Sequence, residues 1–188
     1  ASASGRLDFR KAAGLGAAKL KRLRLTEPSV AQMAEGVRQV AALDDPVGRV
    51  TRDDRVPSGL RVQKVRCPLG VVMMIYESRP NVTVDAFTLC FKAGNACILK
   101  GGKEALHSNE ALATIARDVL AAHDVPPAAL TLISTSEREE LKALLRLEQY
   151  IDLVIPRGGT ALIEFVHEHA RIPTVQHFHG VCHIFVDA

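Results

Sequence analysis

The stretch GVVMMIYESRPNVTVDAFTLCFKAGNACILKGGKE, residues 70–104, decides the fold. Two short apolar runs, Gly70–Ile75 and Ala96–Leu99, have the composition of buried strands. Between them, apolar residues recur at helical spacing. Pro80 suits the first turn of that helix, where its missing N–H is not needed, and Ala93-Gly94-Asn95 tolerates the left-handed backbone that ends a helix. The stretch therefore predicts a strand, a loop, a helix and a second strand.

The same alternation continues along the chain. Before this stretch we predict a helix capped by Thr26 and stopped by Asp44-Asp45-Pro46, a hairpin or loop at Gly48–Pro57, and a half-exposed strand at Leu60–Arg66. After it we predict three more helices: one capped by His107 or Ser108, one at Glu137–Leu147, and one over Leu162, Ile163 and Val166. Further strands are predicted at Leu130–Ile133 and Ile151–Ile155, and closing apolar pieces around Val175 and at Cys182–Val186. Strands alternating with helices predict a doubly wound, mostly parallel α/β sheet with an N-terminal helix. We expect this domain to span residues 26–188, after a partial or poorly ordered segment at residues 1–25.

Composition narrows the class of protein. The chain has 188 residues, 47% of them apolar, with a mean hydropathy of +0.08. No apolar run reaches the roughly 18–20 residues that span a bilayer, and the start lacks the apolar core of a signal peptide. The four cysteines form no C-x-x-C pair, and Cys90 and Cys97 lie in apolar runs, so we expect buried thiols in a reducing, cytoplasmic setting.

The net charge of +3 gives little support to nucleic-acid binding. The densest basic run is KLKRLR at Lys19–Arg24, and it has no stacking aromatic residues among its cations. Aromatic residues make up only 4% of the chain. A solvated basic face is the better interpretation of this run, and we expect neither a nucleic-acid nor a membrane partner.

Two glycine-rich turns indicate an anionic ligand. Lys100-Gly101-Gly102-Lys103 follows one buried strand, and Pro156-Arg157-Gly158-Gly159-Thr160 follows another and opens a helix. Neither is a Walker loop or a G-x-G-x-x-G fingerprint. Ligands of open parallel sheets bind at the carboxyl ends of the strands, and the N–H groups of a helix N-terminus suit a pyrophosphate. The two turns together favour a nucleotide site.

Four motifs carry a family resemblance: YESRPNVTVD at 76–85, LKGGKEA at 99–105, IPRGG at 155–159 and GVCHIFVD at 180–187. Their order resembles the cofactor-binding half of the aldehyde dehydrogenase superfamily, and more narrowly its gamma-glutamyl phosphate reductase branch. The resemblance extends from about Gly14 to Ala188. It implies NADPH-dependent reduction of L-glutamyl 5-phosphate to L-glutamate 5-semialdehyde with release of phosphate, the second step of proline biosynthesis.

The resemblance also implies roles for individual residues. Lys100 would contact the adenine-ribose hydroxyls, and Lys103 stands where many NAD-using relatives carry Glu, which favours NADPH over NADH. Gly158 and Gly159 would allow close approach of the cofactor. The remaining cofactor-binding candidates are Gly101, Gly102 and Arg157, and the candidates for substrate or oxyanion contact are Arg79 and Asn81.

No catalytic residue is expected within the chain itself. In the family a cysteine thiolate displaces phosphate to give a thioester, which hydride transfer reduces to the aldehyde. The resemblance implies that this cysteine lies C-terminal to Ala188, and Cys182 is not its counterpart. We therefore expect the chain to be inactive alone. A homo-oligomer and a functional contact with glutamate 5-kinase are the implied partners.

Several alternative interpretations accompany this prediction. The chain could be a non-catalytic nucleotide-binding module, or part of another acylating aldehyde dehydrogenase. The histidines in HFHGVCH, residues 177–183, lack a carboxylate at useful spacing, so no metal site is expected. For Glu77, an ion pair with Arg79 or a hydrogen bond within its loop is favoured over a role as general base.

Overall fold

The computed structural model describes residues 23–135 and 137–175, and within them the chain forms two separate sheets and five α-helices. The helices are α1 (Glu27–Ala42), α2 (Asn81–Lys92), α3 (Leu106–Ala122), α4 (Arg138–Leu144) and α5 (Thr160–His169). The strands are β1 (Val50–Arg55), β2 (Arg61–Val65), β3 (Val71–Tyr76), β4 (Ala96–Lys100), β5 (Leu130–Leu132) and β6 (Leu153–Arg157). Short 3₁₀ helices occupy Lys103–Ala105 and Pro127–Ala129.

The main sheet has four parallel strands in the order β5-β4-β3-β6. The chain moves outward from β3 through β4 to β5, and then crosses back to place β6 on the other side of β3. The strand order therefore reverses between β3 and β6. This reversal creates a crevice at the carboxyl ends of those two strands, which is where open α/β sheets bind ligands.

Both faces of this sheet are covered, as a doubly wound fold requires. Successive side chains of β3 point to opposite faces: Val72 and Tyr76 belong to one core cluster, and Met73 and Ile75 to another. The first cluster includes buried residues of α2 and α3, and the second includes buried residues of α4 and α5. The predicted fold class is confirmed, and the buried thiols predicted for Cys90 and Cys97 lie in the first cluster.

Strands β1 and β2 form a separate antiparallel hairpin. The prediction of a hairpin or loop confined to Gly48–Pro57 was therefore wrong, because this segment supplies only β1, and the strand predicted at Leu60–Arg66 is its partner β2. The expectation that this strand is half-exposed was wrong, because every residue of β2 is exposed. Alternation of apolar and charged residues predicts one covered face, but within the described residues no second layer buries this two-stranded ribbon.

The helix ends show where local signals succeed. Thr26 caps α1 as predicted, in a reciprocal pair with Ser29. The caps predicted for α3 were wrong: His107 and Ser108 lie inside its first turn, because the 3₁₀ turn at Lys103–Ala105 runs directly into the helix.

The remaining element boundaries differ by a few residues. The strand predicted at Ile151–Ile155 starts at Leu153 and includes Pro156 and Arg157, which were expected in the following turn. Helix α4 is shorter than the predicted Glu137–Leu147. The predictions for residues 1–22 and 176–188, including the GVCHIFVD motif and the three histidines at 177, 179 and 183, lie outside the described residues. None of the described helices is long and apolar enough to cross a membrane.

Candidate functional site

The two glycine-rich turns meet at one cavity of about 520 Å³. Three segments line it: residues 76–79 with Val82 after β3, Gly102 and Glu104 after β4, and residues 156–159 with Ile163 where β6 leads into α5. All three segments lie at the carboxyl ends of parallel strands. The cavity therefore lies at the reversal of strand order between β3 and β6, where a doubly wound sheet places its ligand.

A hydrogen bond joins two walls of the cavity across 82 residues of sequence. The backbone N–H of Gly159 donates to Oε1 of Glu77 at 3.1 Å. Gly158 allows this approach, because a Cβ added there would lie 2.8 Å from the same oxygen and 2.7 Å from Leu162. Glu77 thus forms a hydrogen bond, but the prediction that its partner lies within its own loop was wrong, because the donor is the residue that precedes helix α5.

A buried polar network supports the turn after β4. The hydroxyls of Tyr76 and Thr83 lie 2.7 Å apart, and Thr83 donates to Oδ1 of Asn109 at 3.1 Å. Asn109 is only 1% exposed. A Cβ added to Gly101 would lie 2.2 Å from Nδ2 of Asn109 and 3.2 Å from the Tyr76 ring. The network thus fixes the backbone of the glycine turn at the edge of the cavity.

Burial changes the acid–base properties of two groups near this turn. It raises the pKa of Tyr76 to about 12, against a smaller opposite effect of the hydrogen bond with Thr83. It lowers the pKa of the half-buried Lys100 ammonium, while the carboxylate of Glu104 acts in the opposite direction. The Lys100 Nζ donates to the carbonyl of Gly101 at 3.1 Å. Lys100 is therefore held against the turn rather than extended into solvent.

The structure brings together five of the nine predicted site residues as cavity lining: Arg79, Gly102, Arg157, Gly158 and Gly159. Lys100, Gly101 and Lys103 belong to the turn beside the cavity but are not among the residues that line it. Asn81 is exposed at the start of α2, and its side-chain amide donates to Asp85 at 3.1 Å. The proposed cofactor and substrate contacts of all nine residues stay predictions.

Two acidic residues that were not predicted as site residues, Glu77 and Glu104, also line the cavity. Glu104 was not predicted as a site residue, although it follows Lys103 directly in the LKGGKEA motif. Glu77 was predicted only to form a loop contact. The signal that could have found both is their position in the segments that follow buried strands, at the ligand edge of the sheet. The cavity thus carries two guanidinium groups, from Arg79 and Arg157, and two carboxylates.

No three His, Cys, Asp or Glu side chains come together as a metal site within residues 23–135 and 137–175. The donors available in the cavity are backbone N–H groups, guanidinium groups and hydroxyls. This set suits an organic anion such as a dinucleotide, whose phosphates accept hydrogen bonds and whose size requires an extended crevice.

Comparison with known proteins shows the family of the chain. The aldehyde dehydrogenase family matches residues 19–180 of the chain. The chain belongs to that family. Members of this family use NAD or NADP as cofactor. The predicted resemblance to this superfamily is confirmed.

Comparison of sequences and comparison of structures both find relatives named gamma-glutamyl phosphate reductase. A protein of Xanthomonas campestris pv. campestris named gamma-glutamyl phosphate reductase is 56% identical over 97% of this chain and 44% of its own length. Crystal structures with that name from Thermotoga maritima and Saccharomyces cerevisiae superpose with TM-scores of 0.87 and 0.84, at 36% and 37% identity. They match 92% and 93% of this chain and 42% and 45% of their own chains. The chain thus spans less than half the length of these relatives.

Proposed function

We propose that this chain is the dinucleotide-binding part of an enzyme that reduces L-glutamyl 5-phosphate to L-glutamate 5-semialdehyde, with NADPH as reductant and release of phosphate. The observation that carries the proposal is the cavity at the strand-order reversal, lined by the glycine turn of β6 and α5 and by two arginines. The 56% identity to a protein named gamma-glutamyl phosphate reductase supplies the substrate class. The reaction would contribute to proline biosynthesis in the cytoplasm.

The residues at the cavity fit a dinucleotide. The N-terminus of α5 follows Gly159, and its first N–H groups have no partners within the helix itself. Arg79 and Arg157 offer charge-assisted hydrogen bonds to phosphate oxygens. When bound, the cofactor supplies the hydride, and these residues bind and orient it. The carboxylates of Glu77 and Glu104 disfavour an anion beside them, so the phosphates would lie nearer the arginines.

The preference for NADPH is supported by two cations at the turn after β4. Lys103 is exposed, and Lys100, three residues earlier at the end of β4, is half-buried. A 2′-phosphate would gain from their positive charge. Glu104 is the opposing group, because a carboxylate repels a 2′-phosphate and accepts hydrogen bonds from ribose hydroxyls. The balance between these three residues would set the cofactor preference.

The proposed reaction also requires a nucleophile. A cysteine thiolate would displace phosphate from the acyl phosphate, and we propose that it lies in the remaining part of the enzyme. Arg79 lines the cavity and would contact the substrate or the developing oxyanion. Asn81 has the same proposed role, although its amide donates to Asp85 in the structure. A homo-oligomer and a contact with glutamate 5-kinase complete the proposal.

A chimeric enzyme tests the proposed function. This chain would replace the matching segment of the Xanthomonas campestris relative, and NADP⁺- and phosphate-dependent oxidation of glutamate 5-semialdehyde would be measured. The proposal predicts activity with NADP⁺ that falls about tenfold or more when Arg157 is changed to Gln, since a charge-assisted phosphate contact is lost. The matched control is Arg38→Gln, on the remote and exposed surface of α1. A folded chimera without activity, or equal activity of both variants, would contradict the proposal.

A further inference from the structure

The Glu77 carboxylate occupies the place where an anionic ligand is expected. Its Oε1 accepts the N–H of Gly159, the residue that precedes helix α5. Helix N-termini attract anions, because their N–H groups are unpaired and the helix dipole is positive there. The contact belongs to the chain itself, and it joins the loop after β3 to the turn after β6. A side chain thus already provides the negative charge that the helix end favours.

We infer that Glu77 competes with the phosphate oxygens of a bound dinucleotide for the Gly159 amide and thereby limits the affinity for the cofactor. The inference rests on the proposed function, in that it takes this cavity as the dinucleotide site. Glu77 is a positioning residue of the cavity in the unliganded chain. Binding of the cofactor moves its carboxylate away from the helix end or shifts the phosphates toward Arg79 and Arg157.

The surroundings of Glu77 favour this role over general acid–base catalysis. The carboxylate points at a backbone N–H, a group that takes no part in proton transfer at ordinary pH. It also fills the space left by the absent side chain of Gly158. Close approach of a ligand at Gly158 would require the same open space that the Glu77 carboxylate occupies. The carboxylate and the ligand therefore exclude each other at this turn.

The isosteric variant Glu77→Gln separates charge from shape. A Gln side chain keeps the acceptor oxygen for the Gly159 amide but loses the negative charge. We expect inorganic pyrophosphate to perturb the Gly159 amide resonance at about two- to fivefold lower concentration in this variant than in the native chain, and NADPH to bind more tightly by a similar factor. The matched control is Glu164→Gln, which removes an exposed negative charge from helix α5 at a position that does not line the cavity.

The variant Glu77→Ala addresses a purely structural role. If Glu77 only tied the two loops together, Glu77→Ala would bind pyrophosphate and NADPH more weakly, and Glu77→Gln would match the native chain. Competition predicts tighter binding in both variants. Circular dichroism of each variant checks that the domain remains folded.

Four outcomes decide the inference. Tighter binding of pyrophosphate in both Glu77 variants, with Glu164→Gln unchanged, supports it. Equal or weaker binding in Glu77→Gln overturns it, and so does a Gly159 amide that pyrophosphate moves in none of the proteins. If NADPH binds to no protein while pyrophosphate follows the predicted order, the competition stands and the proposed dinucleotide function fails.

Discussion

Gly101 leaves no space for a side chain beside the buried Asn109. A Cβ at this position would lie 2.2 Å from Asn109 Nδ2, and the buried amide has little room to move. We expect Gly101→Ala to lower the free energy of unfolding by about 1–3 kcal/mol through overpacking. Urea denaturation measures the change.

Gly36 provides the matched control for that substitution. It lies inside α1, and a Cβ there would meet no atom within 4 Å. Gly36→Ala should raise the free energy of unfolding by about 0.5–1 kcal/mol, because Ala is the better helix former. Equal effects of the two substitutions would show that the turn is not fixed by the network around Asn109.

Tyr76 should make the stability of the domain fall at high pH. Its pKa is raised from 10.0 to about 12 by burial, so the unfolded chain loses this proton before the folded chain does. The stabilisation is fully present below pH 10 and is lost as pH rises toward 12. Denaturation at several alkaline pH values measures the loss, and Tyr76→Phe should reduce it.

The second tyrosine serves as the control for this pH effect. The chain has only two tyrosines and no tryptophan, so ultraviolet absorbance of tyrosinate reports them cleanly. Tyr150 is 69% exposed, and Tyr150→Phe should leave the alkaline loss of stability in place. A loss that disappears with Tyr150→Phe and persists with Tyr76→Phe would contradict the assignment.

At the residue scale, the sequence predicted residues that line the cavity better than it predicted the contacts between them. Arg157, Gly158 and Gly159 were predicted because a cation and glycines after a buried strand are a local pattern. The contact of Glu77 with Gly159 joins positions 82 residues apart, and no local pattern reports such a pairing. Asn109 gave no signal either, because its role depends on its packing against Gly101 and Thr83.

At the element scale, the N-terminus of α1 is stabilised by a capping box. The Ser29 N–H donates to Thr26 Oγ1 at 3.3 Å, and the Thr26 N–H donates to Ser29 Oγ at 2.7 Å. We expect Thr26→Ala to cost about 0.5–2 kcal/mol of stability, measured by thermal unfolding. Thr26→Ser keeps the acceptor oxygen and should cost much less. Equal losses in the two variants would show that the hydroxyl does not act as the cap.

The strands of the main sheet and the helices that cover it were predictable because the spacing of their apolar residues matches the side chains that they bury in the core. The runs that became β3 and β4 are almost continuously apolar, as expected for strands covered on both faces. The exposure of β2 was not predictable, since alternation shows which side chains share a face but not whether another layer covers it. The start of α3 was missed because a 3₁₀ turn replaces the expected polar cap.

At the scale of the whole molecule, strand order creates the crevice, and charged side chains line it. The crossing from β5 to β6 places the turn at residues 157–159 opposite the loop after β3. Neither of these two segments forms the cavity alone. The sequence predicted the alternation of strands and helices, but the position of β6 beside β3 depends on packing across the whole sheet.

Lys103 provides a test of cofactor preference at this scale. If its charge attracts a 2′-phosphate, Lys103→Gln should weaken NADPH binding about two- to fivefold and leave NADH binding unchanged, as expected for one exposed charge. Lys64→Gln, on the exposed β2, is the control. Equal weakening for both cofactors would assign Lys103 a role that does not depend on the 2′-phosphate.

The most direct test of the account is a titration of the chain with NADPH, followed by the fluorescence of the cofactor. The absence of tryptophan removes the main protein background. The account predicts saturable binding that weakens about tenfold in Arg157→Gln, because a charge-assisted phosphate contact is lost, and remains unchanged in Arg38→Gln. Binding that is absent from the folded chain, or equal in all three proteins, would contradict the claim that the cavity between β3 and β6 holds the dinucleotide.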